Sequence, residues 1–389
     1  MTKLREAYIS GVGQSEVGVR LTRSPMGLTM DAIKQALDDA GLAMDQIDGV
    51  ASYPGRMATF LGFSPIGVDE VIETCGIKAR WHMGGGEIPA QLSAIAAAVD
   101  AVRLGHARHV ICFRTVYEAA AMSRPEEFPP LRREFVDGQS QWTAPYFAIS
   151  AACWVGQFAM RQMKRHGMTR EQLAQIALNA NRNALLNPNA RGITKKELTL
   201  DEYMEARMIS SPFCLYDCDR FSDCSTVVIV SASDALDEVS ANPIRVAASA
   251  GSVHRYSWDQ PDYMASYATG PDLWAKTDYK PKDVDTVQFY DGFAFFPISW
   301  LEALGFCEVG EGHHFVDGGQ RIAIDGELPL NTGGGQLGAG RLHGFGFAHE
   351  AVTQLRGRAG ARQIPGDPKV AIATSGGGPL AAALLLARD

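Results

Sequence analysis

The sequence predicts an α/β protein in which a parallel sheet is covered by helices, and three observations predict it. Short apolar runs alternate with amphipathic stretches through the first 115 or so residues, and the same alternation reopens near residue 244. The two halves also echo one another. Ile47-Asp48-Gly49-Val50-Ala51-Ser52-Tyr53-Pro54-Gly55 and Val284-Asp285-Thr286-Val287-Gln288-Phe289-Tyr290-Asp291-Gly292 share the pattern Ile/Val-Asp-x-Val-x-x-Tyr-x-Gly. Further on, Ala107-Arg108-His109-Val110-Ile111-Cys112 is similar to Pro368-Lys369-Val370-Ala371-Ile372-Ala373. Strands alternating with helices bury a sheet on both faces, and an ordered repeat argues for a duplicated unit with halves at 1–240 and 241–389.

Each element has its own warrant. Residues 7–13 read as a buried strand ending in a Gly-rich turn. Residues 28–40 carry Leu28, Met30, Ile33, Ala36 and Leu37 at helical spacing, and Gly41 stops the helix. Residues 47–50 form a short strand. Residues 89–104, rich in Ala and opened by Pro89, predict a helix buried on most sides and ended by Gly105. Residues 109–113 are another buried strand, and 244–251 open the second half. Between the halves, a segment of about 115–220 interrupts the sheet pattern. It holds Pro125, Pro129, Pro130 and two helices, 151–166 and 170–181, the second capped by Thr169 with Glu171 and Gln172 behind it. An insertion of this length forms either a lid over a site or a cap that thickens the core.

Composition bounds the function. The chain has 389 residues, 46% of them hydrophobic and 21% charged, which is the profile of a core-forming protein of two or three domain-sized units. A formal net charge of -8 gives no general attraction for nucleic acid or anionic membrane. The amino-terminal stretch offers no apolar run of the secretory kind, and the longest such run, 379–387, falls well short of the roughly 20 residues that span a bilayer. Seven irregularly spaced cysteines make no disulfide framework. The expectation is a reduced, cytoplasmic enzyme.

Three Gly-rich segments stand at strand or helix ends: 82–89, 331–344 and 375–379. Glycine lets a backbone approach a ligand closely, and free N–H groups at a helix start suit an oxyanion or a nucleophile. None of the three has the spacing of a mononucleotide or dinucleotide phosphate loop.

The order of these segments resembles the thiolase superfamily, most closely its sterol-carrier-protein-x and lipid-transfer-protein-like branch. The resemblance is carried by Ala7-Tyr8-Ile9-Ser10-Gly11-Val12-Gly13-Gln14, by Asp38-Asp39-Ala40-Gly41-Leu42 with Ile47-Asp48-Gly49-Val50, and by Leu215-Tyr216-Asp217-Cys218 running into Ser222-Asp223-Cys224-Ser225-Thr226-Val227-Val228. In the second half it is carried by Tyr290-Asp291-Gly292-Phe293-Ala294, residues 331–344 and Ser375-Gly376-Gly377-Gly378. It spans essentially the whole chain. It implies a duplicated, five-layered αβαβα fold with a helical lid insertion, and a homodimer.

The departures from the family pattern decide the chemistry. A thiolase sets a nucleophilic Cys at the start of the helix after its third strand; the matching stretch, Gly86-Glu87-Ile88-Pro89-Ala90-Gln91, has neither Cys nor Ser, and Ile88 takes the place. Thr374 stands where the family has its second Cys, Arg341 where it has the His of Gly-His-Pro, and Tyr290 where it has the Asn of Asn-Glu-Ala-Phe. Without a thiolate there is no acyl-enzyme. The combination is similar to the steroid side-chain retro-aldolases, which cleave a β-hydroxyacyl-CoA to a ketone or aldehyde and a shorter acyl-CoA. Those enzymes have a Tyr in the place of Tyr290 and a second Tyr in the place of Arg341.

Retro-aldol cleavage needs a base for the β-hydroxyl proton and donors for the enolate of the thioester. Tyr290 can be that base only if a nearby cation lowers its pKa from about 10. Arg341 is expected to supply the cation or to bind the enolate oxygen, and His343 is the other candidate for proton transfer. The alternatives are a core aromatic for Tyr290, a CoA-phosphate contact or an acid pair for Arg341, and a structural role for His343. The resemblance places the substrate and its CoA against Gly335, Gly338, Gly340, Gly376, Gly377, Asp291 and Phe293. No cofactor is expected beyond the coenzyme A of the substrate, and the resemblance implies an OB-fold acyl-CoA-associated partner protein. Two other functions stay open: an acyltransferase with its nucleophile elsewhere, for which Cys75 is the nearest thiol to Ile88, and a non-catalytic subunit that binds CoA esters.

Other polar clusters read as structure. Cys214, Cys218 and Cys224 lack zinc-ligand spacing and are expected as buried residues beside a strand. His313-His314 reads as a solvated loop pair, and Asp223 as a structural hydrogen-bonding group. Tyr256, Trp258, Tyr263, Tyr267 and Trp274 either line an acyl pocket, bind a partner or pack a loop.

Overall fold

The computed structural model describes residues 5–57, 61–86, 88–127, 140–240, 242–254 and 263–389. Eleven strands are found among them: β1 (Ala7–Gln14), β2 (Gly49–Ser52), β3 (Trp81–Gly84), β4 (His109–Tyr117), β5 (Met208–Ser210), β6 (Phe213–Cys214), β7 (Asp223–Ala232), β8 (Ile244–Val253), β9 (Thr286–Gln288), β10 (Val370–Gly376) and β11 (Leu380–Ala387). Nine of them join one sheet in the order β3-β2-β4-β7-β1-β8-β11-β10-β9, while β5 and β6 form a small hairpin of their own.

The duplication is visible in strand pairing. In the first half β2 runs parallel to β4, β4 antiparallel to β7, and β7 antiparallel to β1. In the second half β9 runs parallel to β10, β10 antiparallel to β11, and β11 antiparallel to β8. The halves meet where Tyr8 and Ile9 of β1 pair with Arg245 and Ile244 of β8.

The repeated Asp has a structural cause. Asp48 Oδ1 accepts from the N–H groups of Arg108 (2.8 Å) and His109 (3.0 Å), at the start of β4. Asp285 Oδ2 accepts from those of Lys369 (2.7 Å) and Val370 (2.9 Å), at the start of β10. Each carboxylate satisfies two backbone donors where a buried strand begins, so each strand edge is fixed by the same device.

Strand alternation sorts the core. Ile111, Phe113, Val227 and Ile229 face one cluster with the Pro25–Ala40 and Val68–Cys75 helices. Val110, Cys112, Val228 and Val230 face another, shared with the Ser93–Arg103 and Gly344–Leu355 helices and with Ala371, Ala373 and Leu384 of the second half. The outer face of the second half packs on the Ala151–His166, Arg170–Leu186, Ser266–Trp274 and Phe295–Ala303 helices.

Most predicted elements are present with shifted ends. Ser24 caps the Pro25–Ala40 helix and Gly41 ends it at φ 72°. The Thr169 capping box is formed with Gln172, and its helix runs on to Leu186 because its far end packs against the 333–340 loop. One correction concerns the helix expected from residue 89. It begins at Ser93, because Ala90 sits at φ 56° and the Leu92 N–H is taken by Ser375 Oγ at 3.0 Å. Tertiary contact with the second half thus overrides the Pro-opened helix start. No helix among the described residues is long and apolar enough to cross a membrane.

Candidate active site

Four segments converge at one end of the sheet. They are the 88–92 turn, the residues after β9, the 331–344 loop and the turn between β10 and β11. Their contacts hold them together: the Tyr290 N–H donates to Thr374 Oγ1 (2.8 Å), and the Leu92 N–H donates to Ser375 Oγ. Thr374, in the place of the family's second Cys, therefore fixes backbone. Tyr290 sits where the two largest cores meet, its ring edge-on to Phe296 (5.7 Å) and Phe347 (6.2 Å). A Cβ at Gly292 would lie 3.0 Å from the Tyr290 hydroxyl, so glycine there lets the phenol fold back over its own chain.

Arg341 does not stand alone beside Tyr290. Its Nε and Nη2 grip both oxygens of Asp219 (2.9 and 2.7 Å), its Nη1 reaches Glu118 Oε1 (3.1 Å), and its guanidinium lies 4.4 Å over the Phe221 ring. Burial works against its charge, but Asp219 and Glu118 more than offset that and hold the guanidinium firmly protonated. Glu118 is nearly fully buried with Oε2 unpartnered, and burial raises its carboxyl pKa despite Arg341. The sequence expectation that Arg341 lowers the pKa of Tyr290 needs correction. Burial raises it, Asp219 adds to the rise, and the opposing pull of Arg341 is smaller. The phenol is therefore held protonated at neutral pH.

His343 caps the Gly344–Leu355 helix at φ 52°, a left-handed conformation that a non-glycine residue adopts at some cost. Its N–H donates to Gln336 Oε1 (2.9 Å), and its ring lies 5.0 Å from that of Phe63. Its Nδ1 accepts from Arg114, a residue in the middle of the fully buried strand β4. Burial first, then the charges of Arg114 and Arg341, hold the imidazole pKa well below its usual value.

The remaining expected residues divide. Phe293 stacks on Phe213 (5.4 Å) at the site's edge. Asp291 is fully buried: Oδ1 accepts from the Gln336 N–H (2.7 Å) at the start of the short Gly335–Ala339 helix, and Oδ2 has no partner. Burial pushes its carboxyl up to about 7. It organises the loop from a fully buried position. Gly338 is explained by packing, since a Cβ there would lie 2.4 Å from the Ala180 carbonyl. Gly335 and Gly340 bracket the same short helix at φ 57° and 98°, and Gly376 and Gly377 form the turn into β11 at 67° and 143°. Glu118, Asp219 and Arg114 escaped the sequence analysis. Nothing in their local spacing marks them; only the fold brings them to Tyr290 and His343.

Burial raises the thiol pKa of Cys75, Cys112, Cys214, Cys224 and Cys307, and pushes Cys218, on which Arg341 acts with a smaller opposing pull, up to about 12. Among the described residues no three His, Cys, Asp or Glu side chains are grouped as metal ligands. Asp223 has the structural role expected, accepting from the N–H groups of Leu21 and Ala120 (both 2.9 Å). The His313-His314 expectation is corrected in part. His314 is exposed, but His313 is buried because its turn is pinned by Glu302 Oε1 on the Gly312 N–H (3.0 Å). Tyr256 and Trp258 lie outside the described residues. Tyr263 and Tyr267 line a cavity of about 340 Å³ with Phe158, Phe295 and Glu302, and Trp274 donates to the Leu304 carbonyl (2.9 Å).

Comparison with known proteins fits this geometry. Residues 249–387 match the family model described as thiolase C-terminal domain-like. The chain is 29% identical over 400 residues to a steroid side-chain-cleaving aldolase of Thermomonospora curvata, covering 98% of each chain. It is 30% identical over 376 residues to an acetyl-CoA acetyltransferase of Methanothermobacter thermautotrophicus, covering 93% of this chain and 94% of the other. Among solved structures, the Ltp2-ChsH2(DUF35) aldolase superposes with a TM-score of 0.86 at 27% identity, over 100% of this chain and 99% of that one. The chain belongs to the thiolase superfamily, in its lipid-transfer-protein-like branch, and on that fold it is a carbon–carbon lyase of the retro-aldol type.

Proposed function

We propose that this lyase cleaves a β-hydroxyacyl-CoA with a bulky tail, steroid or aromatic, to a carbonyl product and a shorter acyl-CoA. The observation that carries the reading is the replacement of a thiol site by a phenol site. Ile88 stands where a nucleophile would be, and Tyr290 faces a cluster of two carboxylates on one guanidinium. In the reaction the β-hydroxyl loses its proton and its oxygen becomes the new carbonyl. The electron pair of the Cα–Cβ bond moves onto Cα as an enolate, whose charge collects on the thioester oxygen until Cα is protonated.

Tyr290 is the group that exchanges the β-hydroxyl proton. Because burial keeps the phenol protonated, it takes up the substrate proton only as it gives up its own; Glu118, whose carboxyl pKa burial raises, is the acceptor we assign. Glu118 lies under the influence of both Arg341 and Arg114, and Arg341 holds Asp219 beside it. Arg341 fixes both carboxylates and is not free to reach the enolate. The cavity beside Tyr263 and Tyr267 has aromatic walls but also carries Arg161, Arg165, His166 and Glu302, so it suits a tail with polar groups on an apolar frame.

The solved aldolase with a high TM-score pairs its thiolase-like chain with a DUF35 protein. We extend that arrangement to this chain, as a homodimer joined by an OB-fold acyl-CoA-associated partner. The test is to incubate the purified protein, with and without a candidate partner, with a panel of β-hydroxyacyl-CoAs. Mass spectrometry should find acetyl-CoA or propionyl-CoA with an equimolar carbonyl product. Acyl transfer to free CoA instead would overturn the reading.

A further inference from the structure

Arg114 is a buried cation with no direct ion pair among the described residues; Glu118 acts on it from farther away. Its side chain is 1% exposed in the centre of β4, and among the described residues no carboxylate lies within ion-pair distance of it. Burying an unpaired charge is costly, so such a group is kept for a reason that its hydrogen bonds should disclose. Nη1 donates to the Thr115 carbonyl (3.2 Å), and the guanidinium plane rests 4.6 Å from the centre of the Phe63 ring. Its other two donors, Nε at 3.2 Å and Nη2 at 3.0 Å, both aim at one atom, Nδ1 of His343.

That convergence fixes the imidazole. A guanidinium only donates, so Nδ1 must accept and the single ring proton of a neutral His343 must sit on Nε2. Nε2 has no hydrogen-bond partner among the described residues, so its N–H is left for a ligand. The backbone holds the ring in the same place from two sides. The His343 N–H is bound to Gln336, and a Cβ at Gly344 would lie 2.6 Å from Ser375 and 3.0 Å from Leu92, so residue 343 sits against the 88–92 turn and β10.

We propose that Arg114 is a positioning residue that locks His343 as a neutral Nε2–H donor, aimed at the thioester oxygen on which the enolate charge collects. This rests on the lyase reading and assigns His343 a role other than the proton transfer first expected of it. A neutral imidazole is the better oxyanion donor here because it cannot lose the contest for the proton to the enolate. Two cations nearby keep it from picking up a second proton.

The test is NMR of nitrogen-15 histidine-labelled protein, with the His343 signals identified by their loss in His343→Gln. The expected spectrum shows Nδ1 unprotonated and Nε2 protonated, unchanged from pH 5.5 to 8. A proton on Nδ1, or an imidazolium at pH 7, would overturn the proposal whether or not the protein has lyase activity. Arg114→Met should mix the tautomers and lower kcat by about 10²-fold, the usual effect of disabling one oxyanion donor, with KM little changed. Arg114→Lys, which restores one donor, should recover part of the loss. Because His343→Gln keeps an N–H donor, it should retain more activity than His343→Leu; equal activities would overturn the oxyanion role. If the native protein cleaves none of the thioesters, the lyase reading fails, and the tautomer measurement still decides the Arg114 lock.

Discussion

Arg341 and Asp219 form a two-point ion pair, Nε and Nη2 against the two carboxylate oxygens at 2.9 and 2.7 Å, with Glu118 on the remaining nitrogen. One guanidinium thus secures two nearly buried acids, with Arg114 as a second positive charge acting on Glu118. The proposed mechanism draws on this cluster as the proton acceptor for Tyr290, and the same cluster is a weak point of the fold.

Replacing Tyr290 by Phe removes the hydroxyl that the proposed proton transfer needs and leaves the aromatic contacts with Phe296 and Phe347 in place. The expected result is a fall of about 10²–10⁴-fold in kcat with KM and melting temperature nearly unchanged. Steady-state kinetics beside a thermal melt checks it, and retained cleavage removes Tyr290 from the mechanism.

Arg341→Met leaves Glu118 and Asp219 buried without their cation. Breaking a buried pair of this kind costs about 3–5 kcal/mol. The cost must depend on pH. Glu118 already has a raised pKa, and losing Arg341 raises it further, so the acid can escape its penalty by staying protonated only at low pH. Denaturant unfolding should therefore show a larger loss at pH 8 than at pH 5. An equal loss at both would mean that the carboxylates are not what the arginine holds.

Asp291 gives a second pH signature. Burial pushes its folded pKa up to about 7, above the ordinary aspartate value of about 4, so its contribution to stability is complete below about pH 4 and is lost as pH rises through 7. Asp291→Asn has no such titration. The variant should gain on the native protein between pH 4 and 8 in unfolding experiments, and a constant difference across that range would contradict the burial argument.

Thiol reagents should leave the enzyme active. Cys218, on which Arg341 acts, has its pKa pushed up to about 12 by burial, so at pH 7 its thiolate fraction is negligible. Activity after iodoacetamide at neutral pH is expected to match the untreated enzyme. Rapid inactivation with one equivalent of label would revive the acyltransferase alternative and its missing nucleophile.

The repeated aspartates can be tested as a pair. Asp48→Ala and Asp285→Ala each remove the acceptor of two backbone donors at a strand start; the half-buried Asp48 site should lose about 1–3 kcal/mol, and the Asp285 site less, because Asp285 and Lys369 are exposed and water takes over. They serve separate strands, so the double variant should lose close to the sum in chemical denaturation.

The linear chain announced most elements and their duplication because those signals are local and periodic, but the parallel sheet it led us to expect is mixed, with β1, β7, β8 and β11 in antiparallel ladders. Apolar runs announced β1, β4 and β8, Gly41 and Thr169 marked helix ends, and the Asp-x-Val-x-x-Tyr-x-Gly echo announced the duplication that strand pairing displays. It also showed what is missing, since Ile88 has no nucleophilic atom in any fold. Only tertiary structure decided how the site is charged. Glu118, Asp219 and Arg341 are separated by 101 or more positions, and Arg114 lies 229 positions from His343, so no window of sequence could couple them. Burial then changed what those side chains do: it kept Tyr290 protonated against the pull of Arg341, and it made His343 a neutral group with one proton in a fixed place. Ionisation and tautomer depend on how much water is excluded and which charges remain nearby, and both are properties of the packed chain.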